Sequence, residues 1–401
     1  MTKRRDLLKS AIALPFISPA ATNISTKPAR KGDYERDYFK ELGVRSFINA
    51  AGTYTALTAS LPHPEVIKAI NYAALQFVKL EDLQDKVGDR LAELLHCEWA
   101  MVTSGAASAI TLGTAAAMTG GDPDKIDRIP NDLTGIKNEV IIQKTHRVGY
   151  DHAIRNCGAK IIEVETKEEL EKAINEKTAL MWFLNFNNFV GKIKDDEWVA
   201  IAKKHNIPTF IDCAADVPPV EMLFRHNKLG FDMVTFSGGK GIRGPQSAGI
   251  LMGKKSFIQA ARKNAPPNGN TVGRGMKVNK EEILGMLVAI ETYLARDHKK
   301  DWDTWQKQID LIGAAAASVP GTTIEKHVPV IANHVPSLRI KPDAGKIKAS
   351  ALRQALREGH PSIETMGGED TVDITTWQMI PGEERIVASR IKEILMSATK
   401  M

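Results

Sequence analysis

The feature that most constrains the fold of this chain is a regular alternation of short apolar runs with helical stretches of about ten residues. The apolar runs lie at residues 99–102, 140–142, 160–164, 179–184, 208–211, 233–236 and 249–252. Between them, apolar residues recur at helical spacing, for example over 106–118, 167–175 and 197–205. A strand followed by a helix returns the chain to the same end of a sheet. The pattern therefore predicts a doubly wound, mostly parallel α/β sheet.

The regions on either side of this alternation suggest how the chain divides. Helical spacing predicts two helices before it, at 64–78 and 83–95. After residue 255 the pattern changes to a long helix from 281 towards Trp305, strands at 322–330 and 336–340, and helices at 347–357 and 383–396. The run Pro266-Pro267-Asn268-Gly269-Asn270 is a strong loop signal between the two regions. We predict a large α/β domain at residues 34–270 and a small α+β domain at 271–401.

Composition excludes several classes of protein. Of the 401 residues, 43% are hydrophobic and 25% are charged, so the chain as a whole is neither intrinsically disordered nor collagen-like. Its three cysteines, Cys97, Cys157 and Cys213, have neither the number nor the spacing of a disulfide scaffold or a metal site. About half of the net charge of +6 lies in the first 26 residues, so the remainder does not indicate a nucleic-acid partner.

The first 26 residues resemble a targeting sequence. The pair Arg4-Arg5 precedes an apolar run of 11 residues, 11–21, which is too short to span a bilayer. Ser18-Pro19-Ala20 has the small-x-small pattern of a cleavage site. The arrangement resembles a twin-arginine signal peptide and predicts a periplasmic protein, with a basic N-terminus on a cytoplasmic protein as the alternative. No other stretch has 18 uninterrupted apolar residues, so we expect no membrane span.

A glycine-rich loop with a single lysine is the strongest indication of chemistry. The stretch Phe236-Ser237-Gly238-Gly239-Lys240-Gly241 follows a predicted strand, and open α/β sheets bind ligands at the C-terminal ends of strands. Glycines let the backbone approach a ligand closely. A lysine with a lowered pKa can form a Schiff base with an aldehyde, and the Ser237 hydroxyl can donate to a phosphate. The spacing is not that of a P-loop, and a solvated lysine in a surface turn is the alternative.

Two further sites strengthen the functional interpretation. Asp212 ends a predicted strand 28 residues before Lys240, and a carboxylate there can hold a pyridine nitrogen protonated. Ala214 follows where it can pack against one face of a ring. The turn Ser104-Gly105-Ala106 leads from a strand into a helix, whose free N–H groups and dipole favour a phosphate. Separately, the acid and the turn are also typical of capped helices. Combined with Lys240, they predict a cofactor site.

Asp212, Lys240 with Ser237, and the Ser104-Gly105-Ala106 turn resemble the pyridoxal-phosphate site of the fold type I, aspartate aminotransferase-like superfamily. The segments 47–53, 236–246 and 273–278 are similar to the selenocysteine synthase-like group, which includes D-glucosaminate-6-phosphate ammonia-lyase. The resemblance covers roughly residues 34–396. It implies the cofactor pyridoxal 5'-phosphate and a homodimer with the cofactor between the subunits.

The resemblance also implies roles for four more residues. His146 corresponds to the residue that stacks on the cofactor ring, and an imidazole can also shuttle protons. Arg339 corresponds to an arginine that holds a substrate carboxylate. Arg274 is a candidate to reach a phosphate or carboxylate across a dimer interface. Asn188, in a segment similar to the aminotransferase Asn-Pro-x-Asn-Pro-Thr-Gly sequence, is a candidate cofactor contact. The structural alternatives are a loop histidine at 146 and a surface arginine at 339.

The implied activity is chemistry at the α-carbon of an amino acid or an amino-sugar acid. The substrate amine displaces Lys240, which then takes the α-proton while Asp212 stabilises the carbanion through the ring nitrogen. Loss of a β-substituent makes a lyase that releases ammonia, which we rank first. An aminotransferase and a racemase start from the same intermediate. The rivals from other classes are a binding protein without turnover and a nucleic-acid-modifying transferase, for which the chain lacks a basic extension.

Overall fold

A computed structural model describes residues 36–399, so the predicted signal peptide at residues 1–26 lies outside the described residues. The strands are β1 (Phe47–Asn49), β2 (Trp99–Thr103), β3 (Glu139–Gln143), β4 (Lys160–Val164), β5 (Thr178–Leu184), β6 (Thr209–Asp212), β7 (Met233–Ser237), β8 (Gly249–Gly253), β9 (Thr323–His327), β10 (Ser337–Lys341), β11 (Ser362–Glu364) and β12 (Val372–Thr375). The helices are α1 (Tyr38–Glu41), α2 (Pro64–Ala74), α3 (Leu80–Leu95), α4 (Gly105–Thr119), α5 (Pro123–Arg128), α6 (His152–Arg155), α7 (Lys167–Ala173), α8 (Asp195–Lys204), α9 (Met222–Leu229), α10 (Lys255–Lys263), α11 (Lys280–Leu294), α12 (His298–Ala317), α13 (Ala349–Glu358) and α14 (Glu383–Thr399).

Seven strands form the central sheet, in the order β2-β8-β7-β6-β5-β3-β4. Every pair from β7 to β4 is parallel, whereas β8 runs antiparallel to both β2 and β7. The prediction of a mostly parallel α/β sheet is therefore confirmed. Because the parallel strands all end at the same edge, the loops that follow them are gathered there.

The sheet is covered on both faces, which explains the continuous apolar runs in its strands. Along β5, Met181 and Phe183 belong to one buried core together with α3, α8 and α11, and Leu180 and Trp182 belong to a second core with α4 and α10. Successive side chains of a strand point to opposite faces, so a strand buried on both sides has apolar residues at every position.

A third core lies in the C-terminal part of the chain. The antiparallel sheet β12-β10-β9 packs against α12, α13 and α14, and the short parallel pair β1-β11 adds Ile48 and Ile363 to the same core. Helix α11 instead contributes Ile283 and Met286 to the first core of the central sheet. The N-terminal segment is therefore tied to the C-terminal region, and the domain boundary near residue 270 stays a prediction.

Several element boundaries differ from those predicted. Between the predicted helix at 106–118 and the apolar run at 140–142, the chain forms the additional helix α5. Asp122 caps this helix by accepting from the Asp124 N–H at 2.9 Å, and Pro123 occupies its first position. The helix predicted from 281 towards Trp305 breaks at residues 295–297, where Asp297 caps α12. Strands β1, β11 and β12 were missed because three or four residues are too few to show a period. Within residues 36–399, no helix combines the length and apolarity that crossing a membrane requires.

Candidate active site

The register of the central sheet brings the predicted site residues to one edge. Asp212 of β6 pairs with Leu184 of β5 on one side and with Thr235 of β7 on the other. Gly249, at the start of β8, pairs with Ser237 of β7 and with Thr103 of β2. The segments that follow β2, β5, β6 and β7 therefore all begin at this edge, and they carry Ser104, Asn185, Ala214 and Lys240.

The glycines around Lys240 allow the loop to fold back tightly. An added Cβ at Gly241 would lie 1.9 Å from the carbonyl oxygen of Val217, and one at Gly239 would lie 2.4 Å from Cα of Gln246. These contacts are with backbone, so only glycine fits at either position. The Arg243 N–H donates to the carbonyl oxygen of Lys240 at 3.0 Å and closes the turn. The loop therefore holds the lysine in a fixed place beside the segment that follows Asp212.

This packing predicts a large effect from one added methyl group. We expect Gly241→Ala to lower the free energy of unfolding by about 1–3 kcal/mol, because the Val217 carbonyl is backbone and the loop must shift. Urea unfolding curves measure the change. Gly275→Ala is the matched control, since an added Cβ there meets nothing within 4 Å. Equal unfolding midpoints for both variants would contradict the close approach.

The Lys240 amine lies in a partly buried, negatively charged environment. Burial lowers its pKa, and the carboxylates of Asp212 and Asp216 oppose that shift in part. Among the described residues, Nζ makes no hydrogen bond and no ion pair within 4.0 Å. A lowered pKa increases the fraction of neutral, nucleophilic amine at neutral pH. Lys240 therefore has the properties required for covalent reaction with a carbonyl group.

Asp212 is a buried carboxyl with one oxygen left for a ligand. Its Oδ1 accepts from the Ala214 N–H at 2.9 Å, whereas no described residue donates to Oδ2. Burial raises the pKa of Asp212, opposed by the Ala214 hydrogen bond and by the positive charge of Lys240. A buried carboxylate needs a compensating donor. A protonated pyridine nitrogen meets that need with a charge-assisted hydrogen bond.

The turn at Ser104 has the features of a phosphate site. Ser104 precedes α4 without capping it, and its hydroxyl also donates to no described residue. Gly105 has a φ of +82°, and an added Cβ at Gly249 would lie 2.6 Å from the Gly105 carbonyl carbon, so the turn packs closely on β8. The Ser237 hydroxyl is equally without a described partner. Free hydroxyls near a helix N-terminus favour a phosphate, and these residues therefore fit a phosphorylated aldehyde cofactor.

The N-terminal segment and a C-terminal loop complete the site. Ser60 donates through Oγ to the carbonyl oxygen of Gly239 at 2.5 Å. Thr53 donates through Oγ1 to Oδ1 of Asn333 at 2.8 Å, and the Asn333 N–H donates to the carbonyl oxygen of Ala215 at 3.1 Å. Both sides of the Lys240–Asp212 region are therefore held by segments far away in sequence.

Sequence reasoning missed two residues of this region, Asp216 and Asn185. Asn185 Nδ2 donates to Asp216 Oδ2 at 2.8 Å. Burial raises the pKa of Asp216 to about 7, the nearby charge of Asp212 adds to the rise, and the Asn185 hydrogen bond opposes it. The available signal was a second acid four residues after Asp212, and Asn185 directly follows the neighbouring strand.

The raised pKa of Asp216 predicts a pH-dependent stability. A carboxyl group whose pKa is higher in the folded than in the unfolded state stabilises the folded state fully when the pH is below the unfolded-state pKa. For Asp216 this contribution is lost as the pH rises through the folded-state pKa of about 7. We expect Asp216→Asn to remove this loss and to be more stable than wild type at pH 8, by up to ~4 kcal/mol for the cofactor-free protein. Urea unfolding from pH 4 to pH 8 measures it, with the exposed Asp127→Asn as control. Parallel profiles for wild type and Asp216→Asn would exclude this role.

The structure does not support the predicted role of His146. Its ring is fully buried and packs edge-on against Phe183, with ring centroids 4.4 Å apart. Nδ1 accepts from the Leu184 N–H at 3.2 Å, and Nε2 lies 3.3 Å from the amide nitrogen of Gln143. Burial lowers its pKa to about 4. With both nitrogens occupied and neither ring face accessible, His146 is a core histidine rather than a residue that stacks on a ligand.

Arg339 is also committed elsewhere. Its guanidinium pairs with Asp373 on the neighbouring strand β12 at 3.0 Å and with Glu325 on β9 at 3.4 Å. Two carboxylates from the same sheet already neutralise it, so the expectation that it binds a substrate carboxylate is corrected to a cross-strand ion pair.

The remaining two predicted residues are not brought to the lysine. Asn188 directs its side chain towards Asp195 at the start of α8, and its Oδ1 has no partner. The role of Asn188 as a cofactor contact stays a prediction. Arg274 lies exposed in the loop before α11, and its contact across a subunit interface stays a prediction.

Comparison with known proteins agrees with this geometry. Residues 82–276 match the family model "Aminotransferase class-V". D-glucosaminate-6-phosphate ammonia lyase of Salmonella typhimurium is 30% identical over 374 residues, which cover 89% of this chain and 97% of the relative. A 5'-C-glycyluridine monooxygenase-decarboxylase of Streptomyces is 27% identical over 92% of this chain and 94% of its own length. A solved structure of D-glucosaminate-6-phosphate ammonia-lyase superposes with a TM-score of 0.80 at 28% identity, covering 91% of this chain and all of the other.

The sheet, the strand-end lysine and acid, and these relatives define a pyridoxal-phosphate-dependent enzyme of fold type I. The L-seryl-tRNA(Sec) selenium transferase of Proteus mirabilis is 26% identical. The match covers 63% of this chain and 58% of that relative. Within the selenocysteine synthase-like group, this chain belongs to the family of D-glucosaminate-6-phosphate ammonia lyase.

Proposed function

We propose that this enzyme is an ammonia-releasing lyase that acts on an amino acid or an amino-sugar acid through Lys240. The observation that carries the proposal is the pairing of a partly buried lysine without a partner and a buried acid with one free oxygen at the end of adjacent strands. The relative with 30% identity is named as an ammonia lyase, and this chain matches almost its whole length. This similarity supports elimination as the reaction.

Each residue of the site has a distinct task in this proposal. Bound pyridoxal phosphate would supply an aldehyde for amines and a ring that accepts the electron pair of the substrate α-carbon. Lys240 would hold the aldehyde through Nζ and would move the proton at the α-carbon. Asp212 would keep the ring nitrogen protonated. Ser104, Gly105, Ala106 and Ser237 would bind the phosphate, and Ala214 would pack on the ring.

The reaction type is tested with a substrate panel. The relatives carry the names of an ammonia lyase, a monooxygenase-decarboxylase and a selenium transferase, so family membership leaves the chemistry to experiment. The holoenzyme is incubated with D- and L-amino acids and with amino-sugar acids, phosphorylated and not. Ammonia, keto acid, carbon dioxide and inversion at the α-carbon are measured. We expect ammonia and a keto acid in equal amounts. Amino transfer, inversion or decarboxylation without ammonia would contradict an ammonia-releasing lyase.

We further propose that the enzyme is a homodimer. An apolar surface at the end of α2, formed by Tyr72, Leu75, Phe77 and Val78, is exposed, with Phe77 fully so. A contiguous exposed apolar surface is typical of a protein–protein interface. Sedimentation of the holoenzyme measures the assembly. We expect Phe77→Asp to weaken the dimer and Tyr150→Asp, at another exposed aromatic, to leave it unchanged. An active wild-type monomer would contradict the proposal.

We also propose export through the segment that begins with Arg4-Arg5. The proposal rests on the paired arginines and the apolar run 11–21. An exported enzyme would not meet phosphorylated sugar acids of the cytoplasm, so the substrate would carry no phosphate. Replacement of Arg4-Arg5 by Lys-Lys is expected to keep the folded, yellow protein inside the cell. A mature protein that starts at Met1 or Thr2 would exclude export.

A further inference from the structure

A cavity outside the proposed cofactor site is lined in part by the loop of Lys240. It has a volume of about 200 Å³, space on the order of seven water molecules. Gly241 and Arg243 of the loop form one wall. Tyr293 and Arg296 at the end of α11, and His298 at the start of α12, line the cavity further. Its walls therefore come from the cofactor-lysine loop and from the junction of two helices, at a place to which the proposed reaction assigns no role.

The cavity has an excess of positive charge. Arg243 and Arg296 both line it, and burial together with the nearby charge of Arg296 lowers the pKa of Arg243. Asp301 neutralises Arg296 through two hydrogen bonds of 2.6 and 2.7 Å. Arg243 has no carboxylate partner within 4.0 Å among the described residues, and its one side-chain hydrogen bond goes from Nε to the carbonyl oxygen of Leu61 at 2.8 Å. One half-buried guanidinium group, that of Arg243, therefore has no directly paired carboxylate.

Several polar groups in the same walls lack hydrogen-bond partners. Tyr293 Oη, His63 Nε2 and His298 Nε2 are buried and unpaired. Tyr293 and His63 are each only 5% exposed. Burial, together with the positive charges of Arg243 and Arg296, lowers the pKa of His63 to about 4, so His63 is neutral at pH 7. Buried polar groups without partners are costly. A ligand that accepts hydrogen bonds and carries negative charge satisfies both requirements of the cavity.

We propose that this cavity binds a small oxyanion, a carboxylate or a phosphate, held by the guanidinium group of Arg243 with a hydrogen bond from Tyr293. Planar guanidinium groups suit oxyanions because they donate two parallel hydrogen bonds. The Arg243 N–H closes the turn at Lys240, so an anion bound to Arg243 also stabilises the loop that presents the lysine.

The test is calorimetric titration of the holoenzyme with inorganic phosphate and with acetate, at an ionic strength held constant with chloride. In the holoenzyme the cofactor fills its own phosphate site, so a second anion site is measured alone. We expect one saturable site per chain and a Tm that rises with anion concentration. Arg243→Gln is expected to weaken binding at least tenfold, and Tyr293→Phe several-fold.

Two matched control variants make the titration decisive. Arg385→Gln and Tyr150→Phe alter exposed residues of the same types, and their affinities are expected to stay at the wild-type value. Tyr293→Phe removes only a hydroxyl, so it remains informative if Arg243→Gln fails to fold. If neither anion gives a saturable binding curve, water is the occupant of the cavity and the proposal is wrong. Binding unchanged in Tyr293→Phe and in a folded Arg243→Gln would also overturn it.

The source of the anion is decided by competition. If the acidic group of a substrate occupies the cavity, phosphate competes with the substrate found in the panel and Arg243→Gln raises KM. If a free anion occupies it, phosphate binding persists at saturating substrate. Both results support the site. The calorimetry uses no turnover, so a wrong assignment of the reaction leaves this proposal intact.

Discussion

Replacement of Lys240 by alanine is expected to abolish covalent attachment of pyridoxal phosphate and to lower turnover by about 10³- to 10⁴-fold. The physical reason is that the same amine both holds the cofactor and moves the proton at the α-carbon. In the described residues it has no hydrogen-bond partner that competes with these tasks. The fold should survive, because the tight turns around Lys240 depend on the neighbouring glycines and on backbone hydrogen bonds.

The measurement combines absorbance, mass spectrometry and rate. Purified wild-type protein is reduced with borohydride and digested, and the modified peptide is sequenced. Lys240 is the expected site of attachment. Lys255→Ala, an exposed lysine at the start of α10, is the control and should retain full cofactor and activity. A label on any other lysine, or substantial turnover by Lys240→Ala, would refute the assignment.

Replacement of Asp212 by asparagine is expected to leave the fold intact and to lower kcat by about 10²- to 10³-fold. Asparagine keeps the size and accepts the Ala214 hydrogen bond, but a neutral amide cannot hold a proton on the ring nitrogen. Electron withdrawal from the α-carbon is then lost, whereas the proposed phosphate contacts at Ser104 and Ser237 are unaffected by the substitution. The effect should therefore fall on kcat far more than on cofactor affinity.

Asp216→Asn provides a comparison within the same loop. It removes a buried acid that interacts electrostatically with Lys240 and Asp212 but is already bound by Asn185. We expect its kcat to fall much less than that of Asp212→Asn. Rates are measured with the substrate identified in the panel, and cofactor content is measured by absorbance. Near-normal kcat in Asp212→Asn would show that the acid is structural.

The sequence by itself determined the fold class and the main chemical residues. Strands buried on both faces are continuous apolar runs, so the seven strands of the central sheet were recognisable locally. Strand ends in such a sheet meet at one edge, which is why Asp212, Lys240 and the Ser104 turn could be placed together from their order alone. The glycines beside Lys240 are likewise a local signal, since no other residue fits those turns.

Only the tertiary structure decided which polar side chains remain available for a ligand. The His146 ring accepts a hydrogen bond from the Leu184 N–H, 38 residues away. The Arg339 guanidinium donates to the Asp373 carboxylate, 34 residues away. The pairing of Asn185 with Asp216 spans 31 residues. The cavity at Arg243 likewise assembles from segments around His63, Tyr293 and His298. Local sequence fixes the type of a side chain and its place on an element. Its partners, its burial and hence its charge depend on which distant segments the fold packs against it.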